Sequence, residues 1–132
     1  MDKFGPANTT LIVFGIPITD FGDTDPPFTI EDIDARSTLK RGIGGTSLRL
    51  DAQTRPKRLT INLMPGSIQG RQLIAAEKSG ADCTFVYQQT GTNERVAGFD
   101  GVMTQRGSMG RGGKTTVTDD QFVFEFNDSE ET

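Results

Sequence analysis

Apolar residues recur at every second position through much of this chain. Leu59, Ile61 and Leu63 alternate with Thr60 and Asn62, the clearest half-buried strand in the sequence. Cys83, Phe85 and Tyr87 alternate with Thr84, Val86 and Gln88, and Phe122, Phe124 and Phe126 fall on one face of the run 121–126. Leu48 and Leu50 share a face opposite Arg49, within a longer strand run expected over 46–64 that residues 55–57 interrupt as a bulge or edge. Residues 9–14 are β-rich and end at Gly15. Gly15-Ile16-Pro17 then reads as a tight bend or bulge, because Pro17 cannot donate to a central ladder. Residues 23–27 form a turn cluster. Residues 28–35 alternate with a mixed face, as a strand buried on one side would.

One helix interrupts the strands. Pro65-Gly66-Ser67 opens it, with Ser67 placed to accept from free backbone N–H groups, and Gly80 suits the left-handed position just past its end. Over about 67–79 the apolar stripe is narrow, and a helix of ~12 residues is marginal alone, so it must dock on a sheet. Residues 95–105 return as strand, where Gly98 and Gly101 suggest a bulge or a close approach. The order strands, helix, strands defines a mainly β fold, a β-sandwich or barrel with one flanking helix. A long strand-connecting loop over 36–45, basic and glycine-bearing, exceeds what a two-residue hairpin turn needs and suggests an arm that meets another subunit.

At 132 residues, with 33% hydrophobic residues and 16 glycines, the chain reads as one turn-rich domain, 1–132, whose acidic end, 127–132, is expected to be a flexible tail in a free monomer. Cys83 is the lone cysteine, so no internal disulfide forms. That fits a reducing compartment, and the residue itself reads as a small buried strand position. The apolar run 11–14 is too short for a signal peptide core, and no run approaches the ~18 apolar residues of a membrane span, so membrane insertion is not expected. The triplets at Asn8 and Asn127 resemble glycosylation sites and are read as coincidences.

The net charge of −4 conceals segregation. Residues 1–35 hold seven acids and one base, residues 36–71 eight bases and one acid, and residues 115–132 six acids and no base. Two arrangements follow. The folded domain mixes these blocks into one neutral surface, or basic loops of one copy face acidic segments of the next, which sets register and orientation more than affinity.

Candidate chemistry is sparse. The chain has no histidine, which removes the commonest general base and metal ligand. One cysteine excludes thiolate zinc clusters, and no cofactor motif is complete. On a strand Asp32 and Asp34 share a face while Glu31 points opposite. The three could serve acid–base work or a hard cation, although a solvated strand face explains them as well. The segment 107–115 approaches a phosphate-binding loop but carries Ser108 where the motif needs glycine, and a strand pattern follows instead of a helix. Arg106, Arg111 and Lys114 make this loop basic. It is a candidate second contact loop, or a tract along which a nucleic-acid backbone runs. No catalytic or metal residue is assigned, and an enzyme is not expected.

The order of elements resembles the tail tube proteins of tailed bacteriophages, contractile-tailed ones in particular. The resemblance lies in residues 12–22 as an opening hairpin, 28–31 as the strand entering the long loop, Lys40-Arg41-Gly42-Ile43-Gly44 as that loop's tip, 58–63 followed by 67–80 as a strand-then-helix signature, and 83–89, 98–103 and 121–126 as closing strands. It implies a structural virion protein, made in the host cytoplasm and residing in the virion tail. Hexameric rings would stack head to tail, and strands of each subunit would join a continuous inner barrel. Arg36, Lys40, Arg41, Gly42, Gly44 and Gly45 would contact an adjacent ring. Glu31, Asp32 and Asp34 are candidates to line a lumen through which genomic DNA and a tape measure protein pass without specific binding, and a sheath protein would cover the outside of a contractile tail. A tube of a contractile injection or type VI secretion system has the same implied architecture with protein cargo. A small oligonucleotide-binding β-barrel, and an enzyme built on the carboxylates, are the readings from other classes.

Overall fold

The computed structural model describes residues 8–51 and 54–132. The described elements, in chain order, are β1 (Thr9–Val13), β2 (Ile16–Pro17), β3 (Phe28–Asp32), β4 (Ser37–Arg41), β5 (Ser47–Asp51), β6 (Lys57–Leu63), α1 (Ile68–Ser79), β7 (Cys83–Gln89), β8 (Glu94–Arg106) and β9 (Asp120–Glu131). Seven strands form one antiparallel sheet in the order β2-β1-β7-β8-β9-β6-β3, and β4 and β5 pair separately. The fold is thus mainly β with a flanking helix, as the alternation predicts.

The large sheet curls until strands distant in its order face each other. Phe28 on the edge strand β3 meets Tyr87 on β7 edge-on at 5.5 Å, and Phe14, just past β1, meets Phe124 on β9 at 6.0 Å. Between them lie Leu11, Val13, Leu59, Ile61, Leu63, Phe85, Phe122, Phe124 and Phe126, all buried. Burying each such side chain contributes roughly 1.5–3 kcal/mol, so the period-two stripes are the main source of the fold's stability. Gly98 and Gly101 make room for it: a Cβ on either would fall 2.2 Å from a ring atom of Phe85 or of Phe126.

The helix begins and ends where its capping residues place it. Ser67 accepts from the Gly70 N–H at 3.1 Å, and Gly80 takes φ +75° with its N–H turned back to the Ala76 and Glu77 carbonyls. Leu73 and Gly70 face the sheet, Gly70 against the Phe122 ring. Gln69 fastens the helix to residues 17–20, accepting from the Thr19 and Asp20 N–H groups and donating to the Pro17 carbonyl.

Three expectations change. The loop over 36–45 is largely strand: β4 and β5 pair from Ser37↔Asp51 to Arg41↔Ser47, and five residues turn the hairpin. The strand run expected over 46–64 is two strands in different sheets, and residues 52–53 between them lie outside the described residues. The tail 127–132, expected to be flexible, instead extends β9 to Glu131. Ser129 is buried there with its hydroxyl donating to the Arg55 carbonyl, and Thr132 exchanges backbone hydrogen bonds with Arg95. Its backbone pairs with β8, which outweighs the acidic composition that suggested disorder.

Candidate functional site

The arm formed by β4 and β5 is the part of the molecule least explained by its own fold. All ten strand residues are exposed, and an isolated two-stranded hairpin is at best marginally stable in water. Paired residues share a face, so Thr38, Lys40, Leu48 and Leu50 lie on one side, and Ser37, Leu39, Arg41, Ser47, Arg49 and Asp51 on the other. Leu39, Leu48 and Leu50 are each more than half exposed, and Ile43 at the tip is fully so. The tip is closed by Gly42 N–H donating to the Thr46 carbonyl at 2.7 Å and by Gly45 at φ +83°. Arg49 pairs with Asp51, whereas Lys40 and Arg41 form no ion pair among the described residues.

A charged cluster fixes the root of the arm. Lys57, its side chain only 6% exposed, donates to Asp32 at 2.7 Å and to Glu131 at 3.0 Å, and Arg36 bridges the same two carboxylates at 2.9 and 2.5 Å. Hydrogen bonds from Lys57 and then Arg36 hold both the Asp32 and Glu131 carboxyls below their ordinary range. The cluster therefore joins the end of β3, the start of β6, the end of β9 and the segment entering the arm.

The carboxylates singled out in the sequence are not brought together as an open acidic face. Glu31 pairs with Arg58 at 3.2 Å, Asp32 belongs to the root cluster, and Asp34 follows the end of β3 in an exposed position. Of the second loop, Arg106 and Arg111 turn inward onto the buried Asp120, at 3.5 and 2.6 Å, and Arg106 also lies 4.3 Å from the centre of the Phe122 ring. Asp120 additionally accepts from the Gly66 N–H. Lys114 remains exposed. Lys57, Glu131 and Asp120 escaped sequence reasoning. The only signal for them was the basic block around residue 57 set against the acidic end of the chain. Among the described residues no group of three or more His, Cys, Asp or Glu side chains is placed to hold a metal ion, and no helix is long and apolar enough to cross a membrane.

No family model matches the chain, and no curated protein does. Solved structures do. A chain of the sheath/tube terminator of an extracellular contractile injection system (PVC), in its extended state, superposes with a TM-score of 0.61 at 9% identity, covering 98% of this chain and 96% of that one. A chain of that system's sheath-tube complex gives 0.59 at 11% identity, covering 95% and 88%. A chain of the tube-terminating cap of the anti-feeding prophage gives 0.58 at 11%, covering 95% and 87%. At such identities the likeness is one of fold. The superpositions span nearly the whole chain.

Proposed function

We propose that this chain is the structural subunit of a hollow tube in a contractile tail or injection machine. Its copies form hexameric rings that stack head to tail. The observation that carries the proposal is the arm: ten exposed strand residues, three exposed leucines and an exposed isoleucine make a surface that a lone monomer has no use for. An arm that ends on a different surface of the next copy, without that copy's arm returning to the first, makes a heterologous contact, which generates rings where the rotation closes and filaments where it does not. The neighbours in fold come from assemblies whose descriptions name sheath, tube, cap and baseplate, which supports a sheath protein as the outer partner.

The arm residues Arg36, Lys40, Arg41, Gly42, Gly44 and Gly45 carry the contact with an adjacent ring, with Arg36 acting at the root. Glu31, Asp32 and Asp34 remain the candidates for the lumen wall. Because Arg58, Lys57 and Arg36 offset two of these charges, such a wall is close to neutral and lets cargo slide without gripping it. The neighbours named as injection systems favour an injection-system tube as the second reading, with protein in place of phage DNA as cargo.

Negative-stain electron microscopy of the purified protein across concentrations tests the proposal. Six-fold rings or hollow tubes are expected. Deleting residues 40–44 should leave the circular dichroism spectrum and unfolding transition intact and abolish stacking. A protein that stays monomeric at every concentration, or a deletion variant that still forms long tubes, refutes it.

A further inference from the structure

A groove of about 500 Å³ lies between the C-terminal end of α1 and the bulged part of β8. Cys83 pairs with Gly101 and Phe85 with Gly98, so Thr84 alone opposes both Phe99 and Asp100. A bulge with two residues against one re-aims the side chains it carries. Here Phe99 is left 39% exposed beside Val102, which is 61% exposed, and Asp100 sits at φ +53° in the left-handed region. Outward apolar groups are features that packing of this chain alone does not require. Phe14 completes the apolar lining, and Glu77, Asp82 and Asp100 give the groove an acidic rim at the negative end of the helix. A fitting ligand is therefore an apolar side chain flanked by cations on a slender backbone.

The arm's tip has that composition. Ile43 is fully exposed, Lys40 and Arg41 precede it with no ion-pair partner among the described residues, and the glycines on either side let the backbone approach closely. Taking the proposed tube subunit as the starting point, we infer that the tip of one copy seats Ile43 in this groove of a second copy, with Arg41 and Lys40 against Asp82, Asp100 and Glu77. Tip and groove are separate surfaces. The row Asp32–Lys57–Phe126–Gly101–Cys83 runs across the sheet from the arm's root to the groove, four strand spacings or roughly 19 Å. One copy can thus offer its tip to one neighbour and its groove to another, as a ring or stack requires, whereas a reciprocal two-fold exchange would stop a cross-linked ladder at dimers.

Cross-linking tests the acceptor separately from assembly. In a chain carrying Ile43→Cys and Val102→Cys, assembled and mildly oxidised, denaturing gels should show a ladder of disulfide-linked oligomers. Native Cys83 also borders the groove but competes little, because its side chain is buried beneath the surface and burial pushes its thiol up to about 12. Ile43→Cys alone, or combined with Thr19→Cys at the opposite end of the helix beside Gln69, should give no ladder. Separately, Arg41→Asp should weaken association roughly tenfold or more by placing like charges together, and adding Asp82→Arg should restore it. Rings or tubes without the ladder, a cross-link confined to monomers, or no rescue by the charge exchange overturns the groove and leaves the assembly reading standing. If the unmodified chain never associates, both fall.

Discussion

Replacing Lys57 by methionine isolates the charged root of the arm. Methionine keeps most of the buried aliphatic stem and removes the ammonium that meets Asp32 at 2.7 Å and Glu131 at 3.0 Å. Breaking a fully buried ion pair costs about 3–5 kcal/mol, and an exposed one at most about 1. The cation is buried, but the carboxylates are 35% and 44% exposed, and Arg36 still bridges them. The expected loss at pH 7 is therefore about 1–2 kcal/mol, or very roughly 4–8 °C in Tm for a chain of this size. The sign of the pH dependence follows from the depressed carboxyls. Their contribution is complete above their ordinary values of 3.8 and 4.5, and it is lost as pH falls through the lower values they hold in the folded state. Wild type should lose its advantage over Lys57→Met on acidification, and once both carboxyls are protonated the buried ammonium becomes a liability. Urea unfolding of both proteins at pH 7 and near pH 3 measures this. A penalty below ~0.5 kcal/mol at pH 7, or one of equal size at both pH values, would refute the electrostatic account.

Four further outcomes are expected. Gly98→Ala places a Cβ 2.2 Å from the Phe85 ring, between two rings that are themselves buried, and should cost about 2–3 kcal/mol in urea unfolding. Ser67→Ala removes the helix cap, and a loss of about 1 kcal/mol with little change in the denaturant slope is expected by the same assay. Asp120→Ala strands the Arg106 and Arg111 guanidiniums and frees the Gly66 N–H, so a loss of about 2–4 kcal/mol and faster proteolysis within residues 107–119 should follow; an unchanged cleavage pattern would count against it. Cys83 should resist thiol reagents at pH 8 in the native protein and react at once in denaturant, since burial raises its thiol to about 12.

The sequence by itself determined the core strands, the helix and the glycines that the core cannot do without. Period-two stripes such as Leu59–Leu63 and Phe122–Phe126 mark one face of a sheet wherever that sheet ends up, and Ser67 and Gly80 mark the helix ends through bonds to their own neighbours. These are local signals with a local cause. The arm was legible only as a basic connection too long for a turn. Its β4–β5 pairing needed the register of residues six to fourteen apart, and the alternation of Leu48 and Leu50 suggests continuity with β6 instead. The flexible tail was misjudged because acidity argues for solvation one residue at a time, whereas residues 127–131 are ordered by pairing with β8. Charge shows the division most clearly. The sequence displayed a basic middle and acidic ends, but only the sheet order, with β6 between β3 and β9, brought Lys57 and Arg58 onto Glu31, Asp32, Glu125 and Glu131. Tertiary structure thus neutralised part of the basic block within the chain and left Lys40 and Arg41 facing outward. Ion pairs between residues far apart in sequence depend on which strands become neighbours, and no local pattern encodes that.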